Sequence, residues 1–300
     1  MWHENSSVGE NDSMAWTFER VAGPYSFTEG PVWTGEALLF TDIRNNRIMR
    51  YDPATGGCAP FATDTREANG LALDHQGRLY VAEGGGRRVA HYDADGTRVT
   101  LADTFDGKRL NSPNDLVVDN RGRVWFTDPR YGDRTDLALD HDSIYRLDPP
   151  ADGSWPITRV TFDTTRPNGL AFSPDFQTLY VAESPPAPDG QRQLRAYPVQ
   201  ADGSLGAHRV VFDFGPHRGI DGMRVDAAGY VVASCGWTTS GPGPRIGVFS
   251  PTGEEIASHP TPTNPTNCSF GDADLQTIYV TGYDGCLYRA RTDRQGARRP

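Results

Sequence analysis

Six side chains that can offer oxygen ligands stand at comparable places along the 300-residue chain: Glu29, Asn69, Asn114, Asn168, Asp221 and Asn267. Each opens a segment with the apolar pattern of a strand, in EGPVW, NGLAL, NDLVV, NGLAF, DGMRV and NCSF. Asn-Gly and Asp-Gly pairs are good turn formers, which accounts for Asn69-Gly70 and Asn168-Gly169. It does not account for Glu29, since Glu is no turn residue and Thr28-Glu29-Gly30-Pro31 already has its turn formers. It also leaves unexplained why oxygen fills all six slots. Burying an unpaired polar group costs about 1–3 kcal/mol, and an unpaired carboxylate more. A shared cation removes that penalty. Two carboxylates with neutral amides make a hard, all-oxygen set of the kind Ca2+ prefers. The ring holds no imidazole or thiolate, which argues against structural zinc, while Zn2+, Mn2+ or Mg2+ can substitute in such sites. An ion with three or four protein ligands keeps positions for water and substrate, as a catalytic ion does.

These residues can converge only if the segments bearing them are repeats. NGLALDHQGRLYVAEGGGRRVAHYDADG shares its plan with NDLVVDNRGRVWFTDPRYG, NGLAFSPDFQTLYVAES and DGMRVDAAGYVVASCG, and EGPVWTGEALLFTDI and NCSFGDADLQTIYVTGYDG complete the set. Each unit reads as strand, turn, strand, turn, then a third strand such as RIMRYDPATG or SIYRLDPPADG. Five units add a further apolar run (APFAT, RVTLAD, RVTFD, RVVFDF, EIASH); the sixth lacks one, and TFERVAG near the N-terminus has the alternation to supply it. Anchors at 29, 69, 114, 168, 221 and 267 lie 40, 45, 54, 53 and 46 residues apart, which is blade spacing. The pattern predicts an all-β, six-bladed β-propeller with four antiparallel strands per blade, closed by the N-terminal strand completing the last blade. Residues 1–16 read as a disordered leader, 17–293 as one propeller domain and 294–300 as a flexible basic tail. The six anchors would then meet at one mouth of the central channel.

A net charge of −10 argues against nucleic acid or an anionic membrane as partner. The four cysteines (Cys58, Cys235, Cys268, Cys286) form no CxxC pair, as suits reduced thiols in a cytoplasmic protein. The N-terminus has neither a basic n-region nor an apolar h-region, and no apolar stretch nears the ~20 residues of a membrane span. The expectation is a soluble monomer or weak homo-oligomer. GxSxG, HExxH and GxxxxGK[ST] are absent, and Gly84-Gly85-Gly86 runs into Arg87, Arg88 and a strand, so it reads as a turn.

At their blade positions, TEGPVW, NSPNDLVV with WFTDPRYG, RPNGLAFSPD, DGMRVD and PTNCSFG resemble the gluconolactonase / senescence marker protein / luciferin-regenerating-enzyme family over residues 17 to 293. NSPNDLVV with WFTDP resembles its bacterial lactonase branch, and the site is more distantly similar to those of diisopropylfluorophosphatases and paraoxonases. The resemblance implies one divalent cation with Glu29, Asn168 and Asp221 as direct ligands. Asn114 would contact the ion directly or through water and help to hold substrate. It also implies hydrolysis of a sugar lactone or related cyclic ester. A phosphotriesterase-like hydrolase and a non-catalytic metal-binding platform are the alternatives. The sequence departs from the animal members two residues before Asn114, where they have Arg and this chain has Ser112.

In that chemistry a metal-activated water attacks the lactone carbonyl and a carboxylate takes its proton. Asp115 is the first candidate base and Asp221 the second, and Asp115 suits equally a role bonding backbone or ligand side chains. Asn69 and Asn267 are expected to hold waters or substrate hydroxyls. Asp128 reads as a substrate contact or a turn former, and Tyr131 as a ring overhanging the mouth. His217 would face substrate or solvent, and Cys268 reads as a small buried strand residue. The connections 128–143 and 184–193 are the expected determinants of substrate.

Overall fold

A computed structural model describes residues 15–298 apart from Ala151 and Pro188. Short β-branched and aromatic runs between polar turns pair into six four-stranded antiparallel sheets, the blades of a propeller. The innermost strands are Thr28–Trp33, Ala68–Leu73, Leu116–Val118, Pro167–Phe172, Ile220–Val225 and Pro265–Gly271. Three first turns share one device. The carboxylates of Asp74, Asp119 and Asp226 each accept the amide N–H groups two and four residues on, at 2.8–3.0 Å, a local bond that fixes the turn and hence the register of the second strand.

The last sheet is closed by Glu19–Ala22, which pairs antiparallel with Leu287–Arg291, as the missing outer run of unit six required. Trp16, on the leader side of the expected boundary, is buried: its ring stacks on His259 at 3.9 Å and its Nε1 donates to Asp293 Oδ1 at 2.9 Å. The remainder of the leader, 1–14, lies outside the described residues. Arg294 pairs with Asp226 at 2.7 Å and Gly296 N donates to Leu275 O, so residues 294–298 run against the far face rather than free.

Apolar side chains fill six clusters, one between each pair of neighbouring blades, so each blade is stabilised by contacts on both flanks. All four cysteines are unpaired, Cys235, Cys268 and Cys286 being buried. No helix among the described residues is long and apolar enough to cross a membrane.

Asn69-Gly70, Asn168-Gly169 and Asp221-Gly222 are not turns. They lie within inner strands, where the pairing slips between Ala68 and Leu71, Pro167 and Leu170, and Ile220 and Met223. Such a bulge re-aims a side chain. The glycine follows from crowding: a Cβ on Gly169 would lie 2.5 Å from Asp221 O, and one on Gly222 2.0 Å from Asn267 Cγ.

Candidate functional site at the channel mouth

Irregular pairing in four inner strands turns Glu29, Asn168, Asp221 and Asn267 toward one another. Asn168 Nδ2 donates to Asp221 Oδ1 at 2.8 Å and meets the Tyr131 hydroxyl at 3.0 Å. Asn267 Nδ2 donates to Glu29 Oε2 at 3.1 Å and to Asp115 Oδ2 at 3.3 Å. Glu29 Oε2 also accepts from Gly30 N at 2.8 Å. Burial, and then the nearby charge of Asp221, holds the Glu29 carboxyl well above the ordinary range. Burial also raises Asp221, although Arg218 and Asn168 pull it back, and raises Asp115, where Arg224 opposes it. Three carboxylates thus share a desolvated site, and only Asp221 touches a guanidinium, through Arg218 Nη2.

Among the described residues, no three His, Cys, Asp or Glu side chains form a metal-binding group by themselves. A cation here would draw on amide oxygens as well. Asn168 Oδ1, Asn114 Oδ1 and Glu29 Oε1 make no hydrogen bond to the described protein, and the Asn69 and Asn114 side chains are part exposed.

Several expected residues are enclosed by protein or face solvent. Asp128 is no substrate contact: it is fully buried and its two oxygens accept from Asn111 N and Ser112 N, each at 2.7 Å. It pins the loop that leads into Asn114. Asn267 is 2 % exposed and its amide is spent on Glu29, Asp115 and Cys268 N, so it orients the carboxylates instead of meeting substrate. Asp115 lies beside Asn267. It is enclosed, with Oδ1 accepting from Leu116 N at 2.8 Å and Oδ2 from Asn267. His217 is exposed and bonds Ser240 Oγ at 3.1 Å.

Burial pushes the Asp128 carboxyl up to about 7. The folded state therefore keeps this proton from the unfolded value near 4 up to about 7, so the group's contribution to stability falls as pH rises through that window. Unfolding of wild type and Asp128→Asn at pH 5 and pH 8 checks the sign. The stability of wild type relative to the variant should be lower at pH 8 than at pH 5; a pH-independent difference contradicts it.

A cavity of about 680 Å³ opens at this mouth, lined by Asn168, Asp221, Tyr131, Trp237 and Tyr283. Arg218, Ser184, Pro185, Pro186 and Arg192 complete much of its wall. Both long connections thus reach it, the first through Tyr131 and the second through Ser184 to Arg192. Sequence reasoning missed Arg218, Trp237 and Tyr283. A signal for Arg218 lay in HRGID, where a base precedes the anchor carboxylate by three residues.

The model of the SMP-30/Gluconolactonase/LRE-like region matches residues 27–283. The chain belongs to this family. Within the family it is 32% identical to a gluconolactonase of Zymomonas mobilis, over 93% of this chain and 82% of that protein. It is 30% identical to a 6-deoxy-6-sulfogluconolactonase of Pseudomonas putida, over 93% and 96%. A solved gluconolactonase structure from Xanthomonas campestris superposes with a TM-score of 0.81 at 34% identity, covering 93% of this chain and 90% of that one. All six anchors fall inside the family match. At the departure from the animal members, Ser112 Oγ donates to Gly84 O at 3.1 Å and its amide to Asp128, so this side chain is used within the loop.

Proposed function

We propose that this protein hydrolyses a sugar lactone or related cyclic ester at the channel mouth, with a divalent cation held by Glu29, Asn168 and Asp221 and completed by Asn114. The observation that carries the reading is the buried Glu29 carboxylate and the half-buried Asp221 that repels it, beside amide oxygens that have no protein donor, with Asn168 and Asp221 lining an open cavity. An isolated buried charge of this kind is costly unless a counter-charge arrives. The donors are all oxygen, which suits Ca2+ first. When bound, the cation supplies positive charge that polarises an ester carbonyl and makes a neighbouring water more acidic.

The chain's own residues do the rest. Arg218 and Asn168 fix the Asp221 carboxylate from either side, and Asp221 Oδ1 accepts the proton of the attacking water. The water oxygen bonds the carbonyl carbon, the ring ester C–O bond breaks, and the ring oxygen leaves as a hydroxyl with a proton returned to it. The product is a hydroxy acid. The Tyr131 hydroxyl accepts from Asn168 Nδ2 at 3.0 Å and so helps to orient the Asn168 amide. The free amides of Asn69 and Asn114 are placed for substrate hydroxyls. The family's named lactonases support the same assignment.

The test is a panel of small lactones, glucono-1,5-lactone included, followed by pH-stat after exhaustive chelation and after return of Ca2+, Zn2+ or Mn2+. Acid release that disappears on chelation and returns with one ion is the expected result. Unchanged turnover after chelation refutes the cation, and a tightly bound ion without turnover on any lactone refutes the hydrolase.

A further inference from the structure

In the first four blades the second strand ends in a carboxylate: Asp42, Glu83, Asp128 and Glu183. All four are fully buried. Three of them fix the loop that enters an anchor: Asp42 accepts from Ser26 N, Asp128 from Asn111 N and Ser112 N, and Glu183 from Thr165 N. The fifth and sixth blades break the rule. Cys235 and Gly282 take the place, and an aromatic residue comes within two positions, Trp237 and Tyr283. Both aromatics line the cavity. A repeat that abandons its own structural residue at one point, in adjacent blades, has done so for function more often than for stability.

Tyr283 is 45% exposed and Tyr131, which lines the same cavity, 36%; Phe162 is the other Phe, Tyr or Trp ring left this open among the described residues. Tyr283 stands on a tight turn closed by Gly285 N to Gly282 O at 3.0 Å. Its ring is near-perpendicular to Trp237 (4.9 Å between centroids, 82°) and to Phe27 (4.8 Å, 90°). The Arg218 guanidinium lies over Trp237 at 4.8 Å. A solvent-facing ring braced in this way loses little conformational freedom when a flat ligand stacks on it. The space agrees. Pockets of roughly 300–1,000 Å³ enclose ligands of drug size, so about 680 Å³ is more than one lactone ring requires.

We propose that Tyr283, braced by Trp237 and Phe27, is the platform for a second ring, so that the preferred substrate is a glycosyl-bearing lactone rather than a single-ring one. The lactone ring sits at Asn168 and Asp221, and the sugar ring lays its C–H face on Tyr283 with its hydroxyl edge toward the polar side chains Thr239, Ser240 and Arg218 that also line the cavity. The polar edge is what favours a sugar over an aryl group. This rests on the lactonase reading above.

The experiment compares kcat/KM for glucono-1,5-lactone and cellobiono-1,5-lactone on the metal-loaded wild type, Tyr283→Ala and Tyr283→Phe. Wild type should favour the two-ring lactone about tenfold or more, chiefly through KM, the scale of one good stacking contact. Tyr283→Ala should erase the preference while leaving the one-ring values within about twofold, and Tyr283→Phe should keep it. Equal kcat/KM for the two lactones, or an equal loss on both in Tyr283→Ala, overturns the platform. Preference for a phenyl-bearing lactone over the glycosyl one overturns the sugar assignment. Calorimetric binding of cellobionate to wild type and Tyr283→Ala scores the platform separately, so failure of all lactones to turn over would sink the hydrolase without deciding this question. Tyr283-dependent binding upholds the platform and its absence refutes it.

Discussion

Replacing Glu29 with Gln should abolish lactone hydrolysis and at the same time make the metal-free protein more stable. The expected activity loss is on the order of 10³-fold, since a missing charged ligand removes several kcal/mol of charge stabilisation from the reacting carbonyl. The gain in stability follows from the geometry. Glu29 is buried next to Asp221 and Asp115, and its carboxyl is held well above the ordinary range, chiefly by desolvation. Its folded-state pKa exceeds the unfolded one, so its ionisation costs stability increasingly as pH rises above the unfolded value. Gln keeps an oxygen for Gly30 N and Asn267 Nδ2 and carries no charge. After chelation the variant should therefore unfold about 1–3 kcal/mol later than wild type at pH 8, with a smaller gap at pH 5. Added Ca2+ should stabilise wild type and leave the variant unchanged, so that the order reverses. Asp221→Asn is the contrast: it leaves Arg218 without its carboxylate and should destabilise the metal-free fold while also losing activity. Equal melting of chelated wild type and Glu29→Gln at both pH values contradicts the account of the site as an uncompensated buried charge.

Much of this architecture is legible in the chain because a propeller repeats its chemistry. The anchors, the blade spacing and the missing outer strand of the last unit are all periodic, and periodicity survives without any knowledge of contacts. Asp128 was legible too, had it been compared with Asp42, Glu83 and Glu183 rather than with its neighbours Pro129 and Tyr131. Its equivalents share the burial that removes it from substrate. What the sequence withholds is the direction of side chains at irregular register. Asn114 and Asn267 open matching sequence segments, yet Asn267 is sealed between two carboxylates and Asn114 is part exposed without a side-chain partner. The difference is one residue of register: in its sheet Asn267 stands where Asp115 does, each donating its N–H to a second-strand threonine, Thr281 or Thr127, and accepting the next residue's N–H on its Oδ1. Arg218 escaped for a related reason: its role depends on Asp221 being desolvated, a property of the assembled ring.

Crowding yields the second large effect. Gly222→Ala is expected to cost about 3 kcal/mol or more and most of the activity. A glycine in a strand that could accept a side chain gains about 0.4–1 kcal/mol on substitution by alanine, because the unfolded chain is stiffened. Gly222 has no left-handed conformation to protect, so conformation alone predicts a stabilised variant. Its added Cβ, however, would stand 2.0 Å from Asn267 Cγ and 2.1 Å from Asn267 Oδ1. Overpacking of this degree forces side chains and backbone apart. The atom that must move belongs to the one amide shared by Glu29 and Asp115, so the strain passes directly to the carboxylates at the mouth. A double-mutant cycle separates the two consequences. Gly222→Ala with Asn267→Ala opens the space again, and stability should recover in part, short of the hydrogen bonds that Glu29 and Asp115 have lost. Activity should not recover, because the carboxylates no longer have a common donor to hold them. Recovery of both would mean that Asn267 merely fills volume, and an unharmed Gly222→Ala would mean that the inner strands stand farther apart than this packing requires.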